Sequence, residues 1–406
     1  MWYTVQRTRP EPLTGSEVYV HDLESGIARY QETKVLATYR CVFRSSCYQP
    51  PNRRNVLTFR ESPSWLLTGP LSDVLRKDES GKLMEFYAGL KDGFFHSTAW
   101  GYYSSAMRRY LHKGDFDIIH SAAVTTAAVW LGWEASLWNK KPFVVTPFMH
   151  SGIRDYYFPY VISMLTSASA VIVMTEYERQ LIENLGVDAS KIHIIPIGIE
   201  PEKYTLSDGS DFRTSHNIGL DDFVILLPRK LEVKGFFHSL DAILKIASPS
   251  HKITLVLLDK TPVELKRRIE AYKALLTQKG VKIIDTGYLV GPDLISALKS
   301  SDVVVEPSRV DSLGIVYLES WACRKPVIAA NFGATSEVIK DGTNGILVDY
   351  GGVDQLADSI LRIMDDERLK RLLGENGFRT LLKKYTYEQM ITKTNNLYRS
   401  MQTVPL

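Results

Sequence analysis

The stretch VVVEPSRVDSLGIVYLE, residues 303–319, decides the fold. It begins with Val303–Glu306, whose three β-branched residues are typical of a strand. A Pro-Ser turn follows, and a segment rich in small residues around Gly314 then begins a helix pattern. The stretch therefore predicts a strand, a loop and a helix in direct succession, which is the repeating unit of an α/β sheet.

Two carboxylates, Asp311 and Glu319, flank the predicted helix start. With Asp311 in the loop and Glu319 in the helix, both side chains can face the same crevice. Carboxylates placed there can accept hydrogen bonds from sugar and ribose hydroxyls. The alternative is that Asp311 caps the helix while Glu319 pairs with a surface cation.

A second unit of the same kind lies upstream, where Phe223–Leu227 has the pattern of a buried strand. The loop after this strand carries Arg229 and Lys234. Ligands of open α/β sheets bind at the carboxyl ends of strands, beside the N-termini of the next helices. Arginine offers a planar fork and lysine a mobile point charge, so the pair suits a diphosphate. The alternative is a charged loop on a solvated edge.

Short apolar runs alternate with helix-length segments in two series, and a break at Ile199–Phe212 separates them. Buried strands separated by helices indicate doubly wound parallel sheets, so we predict two Rossmann-like domains. Residues 354–401 read as consecutive helices, and we expect the irregular residues 42–115 to shape acceptor binding. The runs interpreted as strands are Lys34–Tyr39, Phe116–His120, Pro142–Phe148, Ala170–Met174, His193–Ile197, Phe223–Leu227, Ile253–Asp259, Val281–Asp285, Val303–Glu306 and Pro326–Ala330.

The composition excludes several classes of protein. The 49 Lys and Arg nearly balance the 46 Asp and Glu, so there is no basic surplus of the kind that nucleic-acid binding needs. Three cysteines are too few for a disulfide framework or a metal cluster, and no apolar run reaches the ~20 residues of a membrane span. We therefore expect a reducing, cytoplasmic compartment.

The ends and the basic spots add two expectations. The N-terminus lacks a signal-peptide pattern, and a strand pattern begins at once in Met1–Val5, so we expect the natural start to lie a few residues upstream. The basic spots Arg53-Arg54 and Arg108-Arg109 read as solvated faces, with peripheral contact to an anionic inner membrane surface as the alternative.

From Glu306 to Ile360 the sequence resembles the C-terminal half of the retaining glycosyltransferases of family 4, which have the GT-B fold. The segment Ile195–Ile199 resembles the family's domain-linking Ile-Pro-x-Gly-Ile, and Arg229 and Lys234 match its phosphate pair. The resemblance is loose over residues 1–115 and tight from about residue 116 onward. Its motifs are, in order, Pro307-Ser308, Asp311, Gly314, Val316, Glu319, Pro326–Ala329, Gly333–Ile339 and Asp341–Val348.

This resemblance implies an α/β protein of GT-B fold, with two Rossmann-like doubly wound parallel-sheet domains and an interdomain cleft. The implied acceptor-side domain is residues 1–198 with a returning helix at 386–406, and the implied donor-binding domain is residues 205–385. The implied reaction moves a hexose-type sugar from a UDP- or GDP-sugar to an acceptor hydroxyl with retention, in glycan, glycolipid or polysaccharide synthesis. The acceptor, a sugar or a lipid-linked molecule, stays open, and neither a metal nor another cofactor is expected.

The resemblance also assigns roles to residues. Arg229 and Lys234 would bind the donor diphosphate, Glu319 the ribose hydroxyls and Asp311 the transferred sugar. The implied donor-binding set is Gly15, Arg229, Lys234, Leu289, Asp311, Leu313, Gly314, Ile315 and Glu319, and the implied catalytic set is His150, Asp311, Arg229 and Lys234. Leu289 would contact the nucleotide base of the donor, and Gly15 would approach the donor phosphate from the N-terminal domain. His150 would lie near the reacting centre.

Some positions depart from the family pattern or allow another interpretation. Asp311 is one methylene shorter than the Glu usual there, Pro228 replaces a Gly, and Ser16 replaces the second Gly of the N-terminal loop. His150 could instead be a structural hydrogen bonder. The Asp-x-Asp at residues 115–117 precedes a strand, so we do not interpret it as a metal site. The rival functions are a sugar phosphorylase or nucleotide-sugar epimerase on the same fold, and a non-catalytic nucleotide-sugar-binding protein.

Overall fold

A computed structural model describes residues 2–6, 15–39, 56–60, 104–124, 126–150, 154–205, 207–248 and 250–402. The chain divides into two compact units. The first is Met1–Ile195 with Met390–Leu406, and the second is Pro196–Gln389. Each unit is built on its own parallel sheet flanked by helices, which confirms the predicted α/β class.

In the described part of the first unit, the sheet has seven strands in the order β3-β2-β1-β4-β5-β6-β7, all parallel. The strands are β1 (Trp2–Gln6), β2 (Lys34–Tyr39), β3 (Val56–Arg60), β4 (Ile119–Ala122), β5 (Phe143–Thr146), β6 (Ala170–Val173) and β7 (Ile192–Ile194). The helices are α1 (Gly15–Ile27), α2 (Ser105–Leu111), α3 (Ala127–Asn139), α4 (Pro159–Ser167) and α5 (Glu176–Glu183).

The sheet of the second unit has six parallel strands in the described residues, in the order β10-β9-β8-β11-β12-β13. The strands are β8 (Phe223–Leu227), β9 (Ile253–Leu258), β10 (Lys282–Gly287), β11 (Val303–Glu306), β12 (Val327–Ala330) and β13 (Ile346–Val348). The helices are α6 (Ser210–Ser215), α7 (Phe236–Ile246), α8 (Lys266–Gln278), α9 (Gly291–Ser300), α10 (Ile315–Ala322), α11 (Thr335–Val338), α12 (Val353–Asp365), α13 (Glu367–Lys384) and α14 (Tyr387–Gln402), and α14 continues into the first unit.

The order of the second sheet is that of a dinucleotide-binding fold. The chain builds outward in one direction through β8, β9 and β10, then returns to the other side of β8 for β11, β12 and β13. β8 and β11 are therefore hydrogen-bonded neighbours, with Ile225 opposite Val303. Because the connections after these two strands run in opposite directions, a crevice opens beyond their carboxyl ends. The two loops singled out in the sequence lie at this switch point.

Burial explains why these segments form their elements. All five side chains of β8 and all six of β9 are buried, as expected for strands covered by helices on both faces. The helix α12 instead buries one face, with Leu356, Ile360 and Ile363 at a spacing of three to four residues, and packs against α7.

Several details differ from the sequence-based expectations. The strand pattern at Met1–Val5 corresponds to β1, whereas β3 and β13 were not among the predicted runs, and β13 is only three residues long. The run predicted from Phe116 enters the sheet only at Ile119, because a turn around left-handed Gly114 precedes it. Most of residues 42–115, including Arg53 and Arg54, lies outside the described residues. No helix within the described ranges combines the length and the apolar composition needed to cross a membrane.

Arg108 was interpreted as part of a solvated basic spot, and the structure corrects this. Its guanidinium binds the buried carboxylate of Glu134, with Nη2 2.6 Å from Oε1. Burial alone would raise the pKa of Glu134, but the nearby His112 and the hydrogen bonds and charge of Arg108 lower it below its usual value. The pair holds α2 on α3, so Arg108 serves the packing of the unit.

A chain of buried polar groups joins the C-terminal helix to the first sheet. His120 in β4 is buried, and its Nδ1 lies 2.5 Å from the Tyr398 hydroxyl and its Nε2 2.7 Å from Thr146 Oγ1. The Tyr19 hydroxyl lies 3.1 Å from the same Thr146 oxygen. Burial lowers the pKa of His120 to about 3. The imidazole is therefore neutral at physiological pH and acts as a structural link between α14 and the sheet.

We predict that His120→Gln lowers the free energy of unfolding at pH 7.5 and makes that free energy depend less on pH. Breaking the buried hydrogen bonds should cost about 1–3 kcal/mol. In the unfolded wild type, His120 binds a proton below pH ~6.5, whereas in the folded protein it does so only near pH 3. Between these two pH values the free energy of unfolding of the wild type therefore falls by up to about 1.4 kcal/mol for each unit of decreasing pH. Urea unfolding of both proteins at pH 7.5, 6 and 5 measures this. Parallel pH dependences would contradict it.

Candidate functional site

The loops after β8 and β11 lie side by side and are tied through their backbones. The Arg309 N–H donates to the Val233 carbonyl at 3.1 Å. Gly235 has φ 73°, and a Cβ there would lie 2.4 Å from the Pro307 carbonyl oxygen, so both conformation and space demand glycine. The two motifs that the sequence suggested separately therefore form one structure.

Lys234 lies between two acidic side chains at this junction. Its Nζ is 2.6 Å from Asp311 Oδ1 and 3.4 Å from Glu306 Oε1, and it donates to the Val310 carbonyl at 3.4 Å. Burial alone would lower the pKa of Lys234, but the carboxylates of Asp311 and Glu306 outweigh burial and raise it. Lys234 therefore keeps a positive charge at the switch point.

The second oxygens of both carboxylates are buried without a hydrogen bond. Glu306 Oε2 and Asp311 Oδ2 have no partner among the described residues, and Glu306 as a whole is only 3% exposed. Burial raises the pKa of Glu306, with the charge of Lys234 opposing this and that of Asp311 adding to it. Native proteins leave few buried polar atoms unpaired, so two such atoms on carboxylates that share one ammonium group distinguish this place among the described residues.

Glu319 lies in α10, close to the same group of charges. The Tyr204 hydroxyl donates to Glu319 Oε1 at 3.2 Å. Burial raises the pKa of Glu319 to about 7, although the bond from Tyr204 and the charge of Arg229 act in the opposite direction. Asp311 pairs with Lys234 and Glu319 bonds to Tyr204, so the alternative of a helix cap and a surface ion pair does not describe this structure.

The start of α10 is fixed by tight packing. Gly314 has φ 86°, and a Cβ there would lie 2.3 Å from the Tyr317 ring. The Tyr317 hydroxyl donates to the Glu306 carbonyl at 2.8 Å, and Leu313 is 1% exposed. No side chain of the described residues caps this end of the helix, so the amides around Ile315 can serve another acceptor.

Arg229 and Lys230 are neighbours in sequence but have different environments. The Arg229 side chain is 42% exposed, and its Nη1 lies 3.6 Å from Asp259 Oδ2. The Lys230 side chain is 1% exposed; it donates to the Asp259 carbonyl at 2.8 Å and binds Asp285. Lys230 thus joins the loops after β8 and β9 to the strand β10, while Arg229 presents its guanidinium to solvent.

Lys230 received no role from the sequence, although a signal was present. Acidic residues, Asp259 and Asp285, stand at the ends of the next two predicted strands. Carboxyl ends of neighbouring parallel strands meet at one edge, so a lysine after the first strand has carboxylate partners within reach.

His150 and Gly15 belong to the first unit. His150 follows β5 and lies edge-on to Tyr156, with ring centroids 5.9 Å apart. Gly15 is the first residue of α1, and the loop residues before it lie outside the described residues. Leu289 belongs to the second unit, half-buried in the loop after β10. The structure thus brings together Arg229, Lys234, Asp311, Glu319 and the start of α10.

Sequence reasoning missed Glu178, which supports the segment before His150. Its two carboxylate oxygens accept the N–H groups of Met149 at 2.6 Å and of Met174 at 2.7 Å, so it joins the ends of β5 and β6. Burial raises the pKa of Glu178 to about 8, although both hydrogen bonds oppose this. The signal was Thr175-x-x-Glu178, the spacing of a capping box.

Among the residues that the structure describes, no group of three or more His, Cys, Asp or Glu side chains could hold a metal ion. The metal independence implied by the resemblance remains a prediction.

Comparison with known families decides the identity. Residues 210–380 match the glycosyl transferases group 1, and residues 90–203 match glycosyltransferase family 4. The chain belongs to the group 1 glycosyl transferases of family 4. The resemblance indicated by the sequence motifs is confirmed.

The curated relatives match this glycosyltransferase over only part of its length. An uncharacterized glycosyltransferase of Methanocaldococcus jannaschii is 26% identical over 245 residues, which cover 59% of this chain and 61% of the relative. The D-inositol 3-phosphate glycosyltransferase of Paenarthrobacter aurescens is 29% identical over 217 residues, 52% of each chain. The chain thus spans about half to three fifths of the length of these relatives.

Solved structures are similar over nearly the whole of this glycosyltransferase. Anabaena Alr3699/HepE in complex with UDP and glucose has a TM-score of 0.72 and 18% identity, covering 98% of this chain and 99% of that chain. The sucrose-phosphate synthase from Thermosynechococcus elongatus has a TM-score of 0.76 and 19% identity, covering 98% of both. These likenesses confirm the GT-B fold.

We predict that Lys230→Met and Arg229→Met differ sharply in stability. Removing Lys230 deletes its buried hydrogen bonds to the Asp259 carbonyl and to Asp285, which keeps its ion pair with Lys273, and should cost about 1–3 kcal/mol. Removing the exposed Arg229 breaks one weak surface pair and should cost less than about 1 kcal/mol. Thermal unfolding of the two unliganded variants measures the difference. Equal losses of stability in the two variants would show that the burial of Lys230 does not make it more important for folding than Arg229.

Proposed function

We propose that this glycosyltransferase moves a hexose-type sugar from a UDP- or GDP-sugar to an acceptor hydroxyl, with retention of configuration. The observation that carries the proposal is the meeting of Arg229, Lys234, Asp311 and Glu319 at the switch point of the second sheet. Cations for a diphosphate and carboxylates for hydroxyls are what a nucleotide sugar requires. The bound UDP and glucose of Alr3699/HepE support a donor of this class.

In this proposal, the diphosphate lies between Arg229 and the start of α10. The exposed guanidinium offers a bidentate fork, and the uncapped amides at Ile315 offer further donors with the positive end of the helix dipole. Lys234 adds a fixed charge from the buried side. Together they stabilise the negative charge that grows on the leaving diphosphate.

The remaining contacts follow from position. Glu319 accepts hydrogen bonds from the ribose hydroxyls, Asp311 from the transferred sugar, and Leu289 borders the base. The bond between the anomeric carbon and the diphosphate oxygen breaks as the acceptor oxygen bonds to that carbon. The acceptor's proton passes to the departing phosphate, so no protein nucleophile is needed.

We also propose the roles of the first unit and the setting. His150 acts near the reacting centre, and Gly15 at the donor phosphate. The charges of Arg229 and Lys234 do the work of a metal ion, so donor binding needs none. The acceptor is a sugar or a lipid-linked molecule in glycan, glycolipid or polysaccharide synthesis, and the protein works in the cytoplasm, with peripheral contact at the inner membrane surface.

We predict that one nucleoside diphosphate among UDP, GDP and ADP, with its sugars, raises the thermal midpoint by several degrees. Arg229→Ala should weaken binding about 10- to 100-fold, because it removes hydrogen bonds to a charged group. Lys245→Ala is the matched control, since Lys245 is a half-exposed cation near the far end of α7 that pairs with Asp354.

Thermal shift and calorimetric titration provide the measurement. Stabilisation by inorganic phosphate or a sugar phosphate, with none by any nucleotide, would overturn the transferase proposal in favour of a phosphorylase. Equal effects of Arg229→Ala and Lys245→Ala would remove the switch point as the donor site.

We predict that Glu319 makes nucleotide binding pH-dependent. Its pKa is raised to about 7, so the carboxylate that accepts ribose hydroxyls is lost as pH falls through 7. Affinity should therefore rise between pH 6 and pH 8 in the wild type and change less in Glu319→Gln. Titrations at both pH values compare the two proteins, and the phosphate's own titration cancels because it is common to both. Identical slopes would contradict the proposed role.

A further inference from the structure

We infer that Glu306 is a second sugar-binding residue, whose free carboxylate oxygen and that of Asp311 form a paired acceptor for two hydroxyls of the transferred sugar. The inference rests on the proposed function and adds to it a residue that determines donor specificity. Glu306 is the last residue of β11, at the switch point.

The fold holds Glu306 in place from two sides. Its backbone pairs with β12 opposite Ala329, and its carbonyl accepts the Tyr317 hydroxyl at 2.8 Å. Its side chain contacts the ammonium of Lys234, which also binds Asp311. Both carboxyl groups are therefore fixed next to one another before any ligand arrives.

Lys234 cannot complete the hydrogen bonds of both carboxylates. An ammonium group has three donors, and three acceptors already surround it, namely Asp311 Oδ1, Glu306 Oε1 and the Val310 carbonyl. Glu306 Oε2 and Asp311 Oδ2 are left buried and without partners among the described residues. Their hydrogen-bond donors must come from a bound molecule.

The local charges indicate what kind of group donates. Two carboxylates repel an anion, so the phosphates do not fit here and belong on the side of Arg229. A bound cation would meet the ammonium of Lys234, 2.6 Å from Asp311. An uncharged donor avoids both conflicts, and the hydroxyls of a hexose are such donors. Two adjacent acceptors suit two neighbouring hydroxyls of one ring.

The alternative is that Glu306 serves only as a counter-ion for Lys234. Glu306→Gln separates the two, because the amide keeps the shape of the side chain while its free end loses the charge and much of its acceptor strength. Calorimetric titration of wild type and variant should use both UDP and UDP-glucose, or the GDP pair if guanine is preferred.

We expect Glu306→Gln to bind the free nucleoside diphosphate within about twofold of wild type and the nucleotide sugar about tenfold more weakly. Its unliganded thermal midpoint should be unchanged or higher, because one of two mutually repelling buried carboxylates is neutralised while Asp311 still pairs with Lys234. Donors deoxygenated singly at C2, C3, C4 or C6 sharpen the test. At least one should bind worse than its parent to the wild type and equally well to Glu306→Gln.

Equal weakening of nucleotide and nucleotide sugar, or no weakening of either, would overturn the inference while leaving the proposed function standing. A lower thermal midpoint with unchanged ligand discrimination would assign Glu306 to the counter-ion role instead. If wild type binds no nucleotide at all, the proposed function fails and the inference fails with it.

Discussion

The ammonium group of Lys234 holds two carboxylates together at the switch point, and the rest of the site depends on this arrangement. Without a shared cation, Glu306 and Asp311 would repel each other in a buried setting, where charges interact more strongly than in water. With it, the loop after β8 and the loop after β11 become one rigid unit. The helix α10, which contains Glu319, begins directly after the loop that follows β11. A single charge therefore sets the geometry of residues that are far apart in sequence.

Burial, more than residue type, separates the charges that hold this structure together from the charges that face solvent. Arg229 and Lys230 are adjacent cations after the same strand, yet Arg229 is partly exposed while Lys230 is buried against the loop after β9 and Asp285 of β10. In the first unit, His120 and His150 also differ in their surroundings. His120 is buried with a hydrogen-bond partner at each ring nitrogen, while His150 stands after a strand end, where ligands of parallel sheets gather.

The local pattern of the sequence was enough to predict the parallel sheets and the loops at the switch point, because strand length, apolar runs and glycine positions are all local signals. Arg229, Lys234, Asp311 and Glu319 were selected from their places after strands and at a helix start, together with the family resemblance, and the structure brings them together. The sequence placed Glu306 at the end of a predicted strand but indicated no role for it. Its role depends on Lys234, 72 positions away, and no periodicity encodes which distant side chains will be neighbours. The three-residue strand β13 was missed for a simpler reason, since its pattern is too short to stand out from a turn.

The contact of His120 with Tyr398 has a consequence for how the chain folds during synthesis. The first unit includes residues from 390 onward, so the whole second unit, residues 196–389, is made before the first unit is complete. At about 5–20 residues per second, the ribosome needs roughly 10–40 s for that stretch. During this interval His120 Nδ1 lacks the Tyr398 hydroxyl that α14 brings to it. The domain that is synthesised first is therefore finished last, and a nascent chain has to keep its N-terminal sheet from aggregating until its final helix emerges.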